Sequence, residues 1–386
     1  MKEILTLNKI SPLALGEFPD GYALVDTAEA PLGILLRSFD MHTYDLPASV
    51  LAVARAGAGT NNIPSADYAA KGVAVFNTPG ANADAVKELV LCALFLGGRK
   101  IIPAIRWTEQ QKGKGAEIPA LVEKGKKEFA GCEIGGKTLG VIGLGAIGIR
   151  VANAALALGM TVVGYDPYLS VENALMLSRG VSRVASVEEI YRQSDFITLH
   201  VPLLADNRGM IGEKAIAAMK DGAVLINCAR GELADNEAVI RALRCGKLAR
   251  YITDFAADEL LGEPGAICLP HLGASTPEAE DNCAVMAAKE LYDYLAHGNI
   301  THSVNLPDCT LPRSAANRMT CVHLNRQNMI AQITACLGRG GVNIENFIDK
   351  SRGDYAYTII DTDDSISPAL LHELEEVEGV IRVRLL

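Results

Sequence analysis

Short hydrophobic runs recur through the first part of the chain, and each is followed by a polar or Gly/Pro-containing stretch. They are ALVDTA, GILLRS, LAVARAG and VAVFNTP. This alternation is typical of a parallel sheet whose strands are joined by helical crossovers. A long helix is predicted from Asp84 through Leu96, ended by Gly97-Gly98, and the polar stretch 109–127 is interpreted as a surface excursion.

A second series of buried strands begins at Lys137, which predicts a second domain. Its runs are TLGVIG, MTVVGYD, ASVEEI with FITLHVP, GAVLINCA and ARYITDF. A helix from Thr276 to about His297 follows. Residues 306–313, which include two prolines, are interpreted as a linker.

The C-terminal region alternates in a different order. The runs MTCVHL, NMIAQITACLG, IENFIDKSRG, YAYTIIDTD, PALLHELEEV and VIRVRLL predict strand, helix, strand, strand, helix, strand. This βαββαβ order is the ferredoxin-like unit. The predicted fold is therefore α/β, with two doubly wound parallel-sheet domains, one flavodoxin-like and one Rossmann, and a small C-terminal domain.

Composition limits the function classes. The chain has 386 residues, of which 49% are apolar and 21% charged, and this length suits two or three domains. A net charge of −10 argues against nucleic acid or an anionic membrane as the partner. The nine cysteines form no CxxC pair, so we expect reduced thiols and no metal site. Without a signal peptide or a membrane-length apolar run, the expected location is the cytoplasm.

The sequence GLGAIG lies between the strand TLGVI and a helix, and a second strand then ends at Asp166. This complete unit predicts a dinucleotide site. Gly143 permits the tight turn, Gly145 lets the backbone approach the pyrophosphate, and Gly148 permits close packing of helix and strand. The N–H groups at the helix start, at Ala146 and Ile147, would bind the phosphates.

Asp166 favours NAD over NADP. Its carboxylate would accept hydrogen bonds from the adenosine ribose, whereas a 2′-phosphate would be repelled. The next residues, Pro167 and Tyr168, supply no compensating arginine.

Three residues form a candidate catalytic set: Arg230 in NCARGEL, Glu259 in DFAADEL and His271 in LPHLGAST. Each follows an apolar run, so each would lie at the carboxyl end of a strand. Arg230 can bind an α-carboxylate with two hydrogen bonds. His271 can take the proton of a hydroxyl as hydride leaves, and Glu259 can orient the imidazole and raise its pKa.

With these motifs in this order, the chain resembles the D-2-hydroxyacid dehydrogenases over residues 1 to about 310. The stretch HVPL at 200–203 fits the same resemblance. The resemblance implies a discontinuous substrate domain (1–98 and 276–312), a Rossmann NAD domain (99–275) and a C-terminal domain (317–386). It implies NAD contacts at Ala146, Ile147, Asp166, Cys228, Ala229, Arg230, Asp254, His271, Leu272, Gly273 and Ala274. The interval from Glu259 to His271 is short for the family, which leaves Asp258 as the alternative partner of His271.

Two N-terminal loops resemble the substrate-domain loops of D-3-phosphoglycerate dehydrogenases: RAGAGTNNIP at 55–64 and NTPG at 77–80. That resemblance implies that Arg55, with Arg37 and Ser38 nearby, neutralises a substrate phosphate. Asn77 and Thr78 would then lie close to the nicotinamide. The substrate would be 3-phosphoglycerate. Which residues hold its phosphate stays open.

The C-terminal segments VHLNRQN and GGVNIEN resemble an ACT domain, a module that binds amino acids at a dimer interface. The resemblance implies that His323, Asn325 and Asn343 bind an effector, L-serine, in a homodimer or homotetramer. Gln327-Asn328 stands where many such domains have Pro-Gly, so a dimerisation domain with an N-capped helix remains the alternative.

Two other functions remain open from the sequence. One is a different 2-hydroxyacid dehydrogenase, such as a hydroxypyruvate or glyoxylate reductase. The other is an NAD(H)-binding sensor without turnover, which the set Arg230, Glu259 and His271 argues against, because a sensor needs no acid–base pair.

Overall fold

The structure, a computed structural model, describes residues 1–386. The chain divides into two compact units, one formed by Met1–Asn82 with Pro277–Leu386 and the other by Ala83–Thr276. These units differ from the domains expected from the sequence, because residues 83–98 belong to the second unit and the C-terminal domain belongs to the first. The boundaries of the functional domains stay a prediction.

A five-stranded parallel sheet forms the core of residues 1–82. Its elements are β1 (Lys2–Leu7), β2 (Tyr22–Val25), β3 (Gly33–Leu36), β4 (Ala52–Arg55), α1 (Ser65–Ala70) and β5 (Ala74–Phe76). The order β2-β1-β3-β4-β5 confirms the flavodoxin-like prediction. Leu36 pairs with Arg55, so the residues that follow β3 emerge at the same edge as the end of β4.

The second unit, Ala83–Thr276, contains a seven-stranded parallel sheet. Its helices are α2 (Ala83–Gly98), α3 (Ile101–Glu109), α4 (Ile118–Gly125), α5 (Ala146–Ala157), α6 (Val171–Met176), α7 (Val187–Gln193), α8 (Glu213–Ala218) and α9 (Asn236–Arg244). Its strands are β6 (Thr138–Ile142), β7 (Thr161–Tyr165), β8 (Ser182–Arg183), β9 (Phe196–Leu199), β10 (Ala223–Asn227), β11 (Leu248–Thr253) and β12 (Ala266–Cys268).

The strand order β12-β11-β10-β9-β6-β7-β8 confirms the Rossmann fold. The order reverses between β6 and β9, which is where a doubly wound sheet opens a crevice for a ligand. The stretch 109–127 is mostly exposed, as expected of a surface excursion, and part of it is helical. It contains α4, and the Trp107 ring in the preceding helix lies 5.5 Å from that of Phe129.

The C-terminal part of the first unit begins with the long helix α10 (Pro277–His297) and ends in an antiparallel sheet. The elements of that sheet domain are β13 (Asn317–Leu324), α11 (Met329–Arg339), β14 (Ile344–Arg352), β15 (Tyr355–Thr362), α12 (Pro368–Glu375) and β16 (Val380–Leu385). The order β14-β15-β13-β16 confirms the βαββαβ prediction.

The C-terminal sheet shares a hydrophobic core with the rest of its unit. Val322, Tyr357 and Ile359 pack in one cluster with Tyr294 of α10, and the Tyr357 hydroxyl donates to the Gly298 carbonyl at 2.7 Å. The predicted linker at 306–313 is part of this packing, since Leu306 and Cys309 are buried. None of the helices combines the length and the apolar character that crossing a membrane would require.

Candidate active site

The glycine-rich turn between β6 and α5 has the geometry of a phosphate cradle. Gly143 has φ +95°, and a Cβ there would lie 2.5 Å from the His200 carbonyl oxygen. A Cβ on Gly148 would lie 1.9 Å from the Gly143 carbonyl oxygen, whereas a Cβ on Gly145 would meet nothing within 4 Å. Two glycines are therefore required for packing, and the third faces open space at the start of the helix.

Asp166, at the end of β7, closes the turn. Its carboxylate oxygens accept hydrogen bonds from the amides of Leu144 and Tyr168, both at 2.8 Å. The structure also brings Arg183 of β8 to the same place, where its guanidinium donates to the Asp166 carbonyl at 3.4 Å. The sequence did not indicate this arginine, because only the pairing of β7 with β8 makes the two residues neighbours.

Arg230 follows β10 in extended conformation, and its side chain is exposed. The buried Asn227 holds this turn: its side chain donates to the Arg230 carbonyl at 2.9 Å and accepts from the Ala229 amide at 3.2 Å. Asn227 is thus a positioning residue for the candidate carboxylate clamp. Its signal in the sequence was a polar residue at the end of a fully apolar strand. Beside it, burial raises the pKa of Cys228 to about 12.

His271 is exposed, and its ring contacts the ring of Phe255 in a tilted arrangement, with 4.8 Å between the centroids and 49° between the planes. Asp254, next to Phe255, is buried, and neither of its carboxylate oxygens has a hydrogen-bond partner of good geometry. Burial raises the pKa of Asp254, while the charges of His271 and Arg230 act to lower it. The charges of Arg230 and His271 thus both act on Asp254. Gly273 is buried beside Asp254, Leu272 is exposed and Ala274 is half-buried.

Glu259 does not contact His271. It lies in a short 3-10 helix at 258–260, and its carboxylate accepts a hydrogen bond from the Asn236 side chain at 2.8 Å, which lowers the pKa of Glu259. The alternative, Asp258, forms no ion pair with His271 either. Asn236, in the first turn of α9, is a neighbour of the catalytic set that sequence reasoning missed.

The expected phosphate-binding residues cluster at the carboxyl ends of β3 and β4. The Arg55 Nε donates to the Arg37 carbonyl at 2.9 Å. A Cβ on Gly57, which has φ +154°, would lie 2.7 Å from the Arg55 Nη1, so this glycine leaves room for the guanidinium. The Asn8 side chain, also missed from the sequence, accepts hydrogen bonds from the amides of Ser38 and Phe39 at 3.1 and 2.6 Å.

The loop after β5 is also held by hydrogen bonds. The Asn77 side chain donates to the Ala58 carbonyl at 2.6 Å, and the Thr78 amide donates to the Gly57 carbonyl at 3.2 Å. Thr78 is fully buried beside the Cys283 thiol of α10. Its side chain therefore supports the loop from within and is not accessible at the surface.

Comparison with known proteins agrees with this geometry. The family "D-isomer specific 2-hydroxyacid dehydrogenase, NAD binding domain" matches residues 93–273. A D-3-phosphoglycerate dehydrogenase of Haemophilus influenzae is 32% identical over 340 residues, which are 85% of this chain and 79% of that protein. This chain belongs to the D-isomer-specific 2-hydroxyacid dehydrogenase family.

One further sequence and one crystal structure show how much of the chain the similarity covers. A D-3-phosphoglycerate dehydrogenase of Methanocaldococcus jannaschii is 38% identical over 265 residues, 66% of this chain and 48% of that protein. The chain thus covers about half the length of several relatives it matches. The crystal structure of NAD+-bound 3-phosphoglycerate dehydrogenase from Entamoeba histolytica matches at 27% identity and a TM-score of 0.61, covering 79% of this chain and 98% of that one.

In this chain, the three candidate effector-binding side chains already form hydrogen bonds within the C-terminal domain. His323 is buried, and its Nε2 lies 3.0 Å from the Asp349 carboxylate and 3.0 Å from the Thr358 hydroxyl. The Asn325 side chain donates to the Gly353 carbonyl at 2.9 Å. The Asn343 side chain donates to Glu345 at 2.6 Å.

The alternative of an N-capped helix does not hold at the loop 327–328. Asn328 is the N-cap residue of α11, but it has φ +70° and its side chain makes no capping hydrogen bond. Asparagine tolerates this left-handed conformation better than most residues, so its contribution is to the backbone turn.

Proposed function

We propose that this chain is an NAD-dependent D-3-phosphoglycerate dehydrogenase, which oxidises 3-phospho-D-glycerate to 3-phosphohydroxypyruvate, the first step of L-serine biosynthesis. The observation that carries the proposal is the pair Arg37 and Arg55 at one edge of the first sheet. A small 2-hydroxy acid has one carboxylate and needs one cation, whereas its phosphorylated analogue needs more. The names of the relatives support the same substrate.

NAD is the proposed cofactor, and the residues of the glycine-rich turn fit it. The open space at Gly145 accommodates a pyrophosphate against the free N–H groups at the start of α5. The buried Asp254 carboxylate has no hydrogen-bond partner of good geometry beyond the nearby Gly273 amide, and a carboxamide can supply a donor. The proposed contacts are Gly143, Gly145, Ala146, Ile147, Gly148, Asp166, Cys228, Ala229, Arg230, Asp254, His271, Leu272, Gly273 and Ala274, with Thr78 near the nicotinamide.

The chemistry assigns one task to each catalytic residue. Bound NAD supplies the hydride acceptor. Arg230 binds the substrate carboxylate and thereby orients the adjacent carbon. His271 takes the hydroxyl proton during oxidation and returns it during reduction. Glu259 stabilises the protonated imidazole. In this proposal, Glu259 exchanges its bond to Asn236 for one to His271 during turnover, and Asp258 is the alternative.

The substrate groups are proposed to divide among the remaining residues. Arg37, Ser38 and Arg55 bind the phosphate, and Asn77 lines the substrate pocket close to the nicotinamide. Within the C-terminal domain, L-serine is proposed to bind at His323, Asn325 and Asn343 in a homodimer or homotetramer. Because these three side chains have internal partners, the effector must replace hydrogen bonds that already exist. The proposed location is the cytoplasm.

The test is a comparison of NAD-linked initial rates with 3-phosphoglycerate, D-glycerate and D-lactate. We expect kcat/KM to be highest for the phosphorylated acid. Turnover of lactate without turnover of 3-phosphoglycerate would refute the proposed substrate and favour another 2-hydroxyacid dehydrogenase, and the absence of any turnover would favour a sensor. Initial rates against added L-serine test the effector, and a flat response would leave dimerisation as the role of the C-terminal domain.

A further inference from the structure

An acidic residue from α10 is bound to one of the two candidate phosphate-binding arginines. The Nη1 of Arg37 lies 2.6 Å from the Oε1 of Glu280. Both side chains are partly exposed, at 37% and 46%, so the pair is formed at the surface and both groups remain within reach of a ligand. Glu280 is not one of the expected site residues and takes no part in the proposed chemistry of the reaction.

The neighbours of this pair place it beside the expected phosphate-binding residues at the carboxyl ends of β3 and β4. Cys283 lies one helical turn after Glu280, and the charges of Arg37, Arg55 and Glu280 all act on its pKa, while the Thr78 hydroxyl lies beside it. The charges that act on this buried thiol therefore come from the turn after β3, the end of β4 and the first turn of α10. The Arg55 Nε also donates to the Arg37 backbone carbonyl, so the Arg55 guanidinium lies against the turn that carries Arg37.

The charge of the cluster follows from these three side chains. Two guanidinium groups carry +2, and the Glu280 carboxylate reduces this to +1. A phosphate monoester is close to a dianion at neutral pH. With Glu280 bound to Arg37, a dianionic phosphate would meet a neighbouring carboxylate and a guanidinium whose donors are partly used. Like charges at such distances repel, and the surface dielectric weakens this repulsion without removing it.

We propose that Glu280 is a specificity-determining residue that competes with the substrate phosphate for Arg37. The phosphate displaces the carboxylate, which rotates into solvent, so Glu280 weakens binding of the phosphorylated acid and leaves non-phosphorylated 2-hydroxy acids unaffected. This inference rests on the proposed function, because it takes the phosphate to bind at Arg37 and Arg55. It adds a residue that sets the affinity of that same site.

The size of the effect follows from the exposure of the pair. An exposed ion pair contributes up to about fivefold in an equilibrium constant, and removal of the like charge adds to this. The substitution Glu280→Gln keeps the shape of the side chain and removes its charge. We expect it to lower the KM for 3-phosphoglycerate about three- to tenfold, with kcat and the KM for D-glycerate within about twofold of the parent.

The matched control is Glu278→Gln. Glu278 lies on the same first turn of α10, is exposed and forms no ion pair, so its substitution changes the net charge equally and should leave both KM values unchanged. If Glu280 had only a structural role, its substitution would lower the thermal midpoint of the chain or change kcat with both substrates. An unchanged or raised KM for 3-phosphoglycerate in the Glu280→Gln variant would overturn the proposal.

Binding of inorganic phosphate to the full chain, measured by calorimetry, separates this inference from the proposed reaction. We expect Glu280→Gln to bind phosphate about three- to tenfold more tightly than the parent, and this gain to vanish in the double variant with Arg37→Ala. If the parent does not oxidise 3-phosphoglycerate, the proposed function fails, but the titration still decides the role of Glu280. Equal phosphate affinity of parent and Glu280→Gln would refute it.

Discussion

At the scale of single residues, the candidate catalytic set is only partly assembled. The charges of Arg230 and His271 both act on Asp254, whereas Glu259 is bound to Asn236. His271 is exposed, and one side of its ring contacts the tilted ring of Phe255. Its position suits a group that must exchange protons with a substrate.

The substitution His271→Ala should lower kcat by about 10²–10⁴-fold, because general acid–base catalysis contributes about that much. NAD affinity should stay within a few-fold, since His271 is one of many proposed NAD contacts and the phosphate cradle at 143–148 is unchanged. Steady-state kinetics and a titration of NADH fluorescence measure the two quantities. Near-normal kcat in this variant would remove His271 from its proposed role.

At the scale of elements, the junction of β6 with α5 decides both packing and cofactor binding. Gly148 packs against the Gly143 backbone, and Gly145 borders open space, although both belong to the same six-residue motif. A methyl group added at Gly148 should therefore have a different consequence from one added at Gly145. The change at Gly148 would lower the stability of the fold, and the change at Gly145 would weaken cofactor binding.

We predict that Gly148→Ala destabilises the chain, because a Cβ 1.9 Å from a carbonyl oxygen forces the helix away from the strand. Gly145→Ala should keep the thermal midpoint of the parent and still lose NAD affinity by about tenfold or more, since its methyl group would occupy the space left for the pyrophosphate. Thermal denaturation and NADH titration of both variants provide the measurement. Equal NAD affinity in parent and Gly145→Ala would contradict the proposed cradle.

A hydrogen-bonded pair, Glu290 with His302, joins α10 to the segment that follows it. Glu290 is buried in α10, and its Oε1 lies 2.6 Å from the Nδ1 of His302. Burial raises the pKa of Glu290 to about 7, although His302 opposes the shift and Asp308 adds to it. The His302 carbonyl in turn faces the Asn77 amide at 3.5 Å, so the pair lies next to the loop after β5.

This pair predicts a pH dependence of stability. The pKa of Glu290 is higher in the folded chain than in the unfolded chain, so the folded state binds more protons between about pH 4.5 and 7. The stabilisation from Glu290 protonation is complete below the unfolded pKa and is lost as pH rises through about 7. The substitution Glu290→Gln should flatten this part of the profile, measured as urea midpoint against pH. An identical profile in parent and variant would contradict the assignment.

At the scale of the whole molecule, the C-terminal sheet is part of the packing of the first unit. Tyr294 of α10 lies beside Tyr357 at 6.2 Å between ring centroids, and the Arg384 guanidinium stacks over Tyr294 at 4.5 Å. A fully buried ion pair, Arg318 with Asp361, lies in the same region, and Arg318 also donates to the His297 carbonyl at 2.9 Å. The domain is therefore held to α10 by apolar and polar contacts.

Removal of residues 317–386 should consequently destabilise what remains. The truncated chain would expose Tyr294 and leave the Gly298 carbonyl without its donor, so we expect a lower thermal midpoint and association in size-exclusion chromatography. The control is Asn325→Ala, which changes an exposed residue of the same domain and should remain folded. A monodisperse truncated chain with the parent's thermal midpoint would show that the domain is an independent attachment.

The sequence alone determined the order and type of most elements, because the period of apolar residues is a local property. It predicted α2, α10 and the whole βαββαβ unit, as well as the turn at 143–148 with Asp166. It did not predict β1, where only Ile4 and Leu5 are buried, although this strand lies inside the first sheet. A strand with so few buried residues carries a weak periodic signal.

The tertiary structure decided which side chains meet. Glu280 is 243 positions from Arg37 along the chain and pairs with it only because α10 packs on the first sheet. Asn236 meets Glu259, and Arg183 meets Asp166, for the same reason: long-range contacts depend on topology and register. The sequence identified the chemical groups from their local context. The partners that tune those groups come from distant segments, and local patterns contain no information about them.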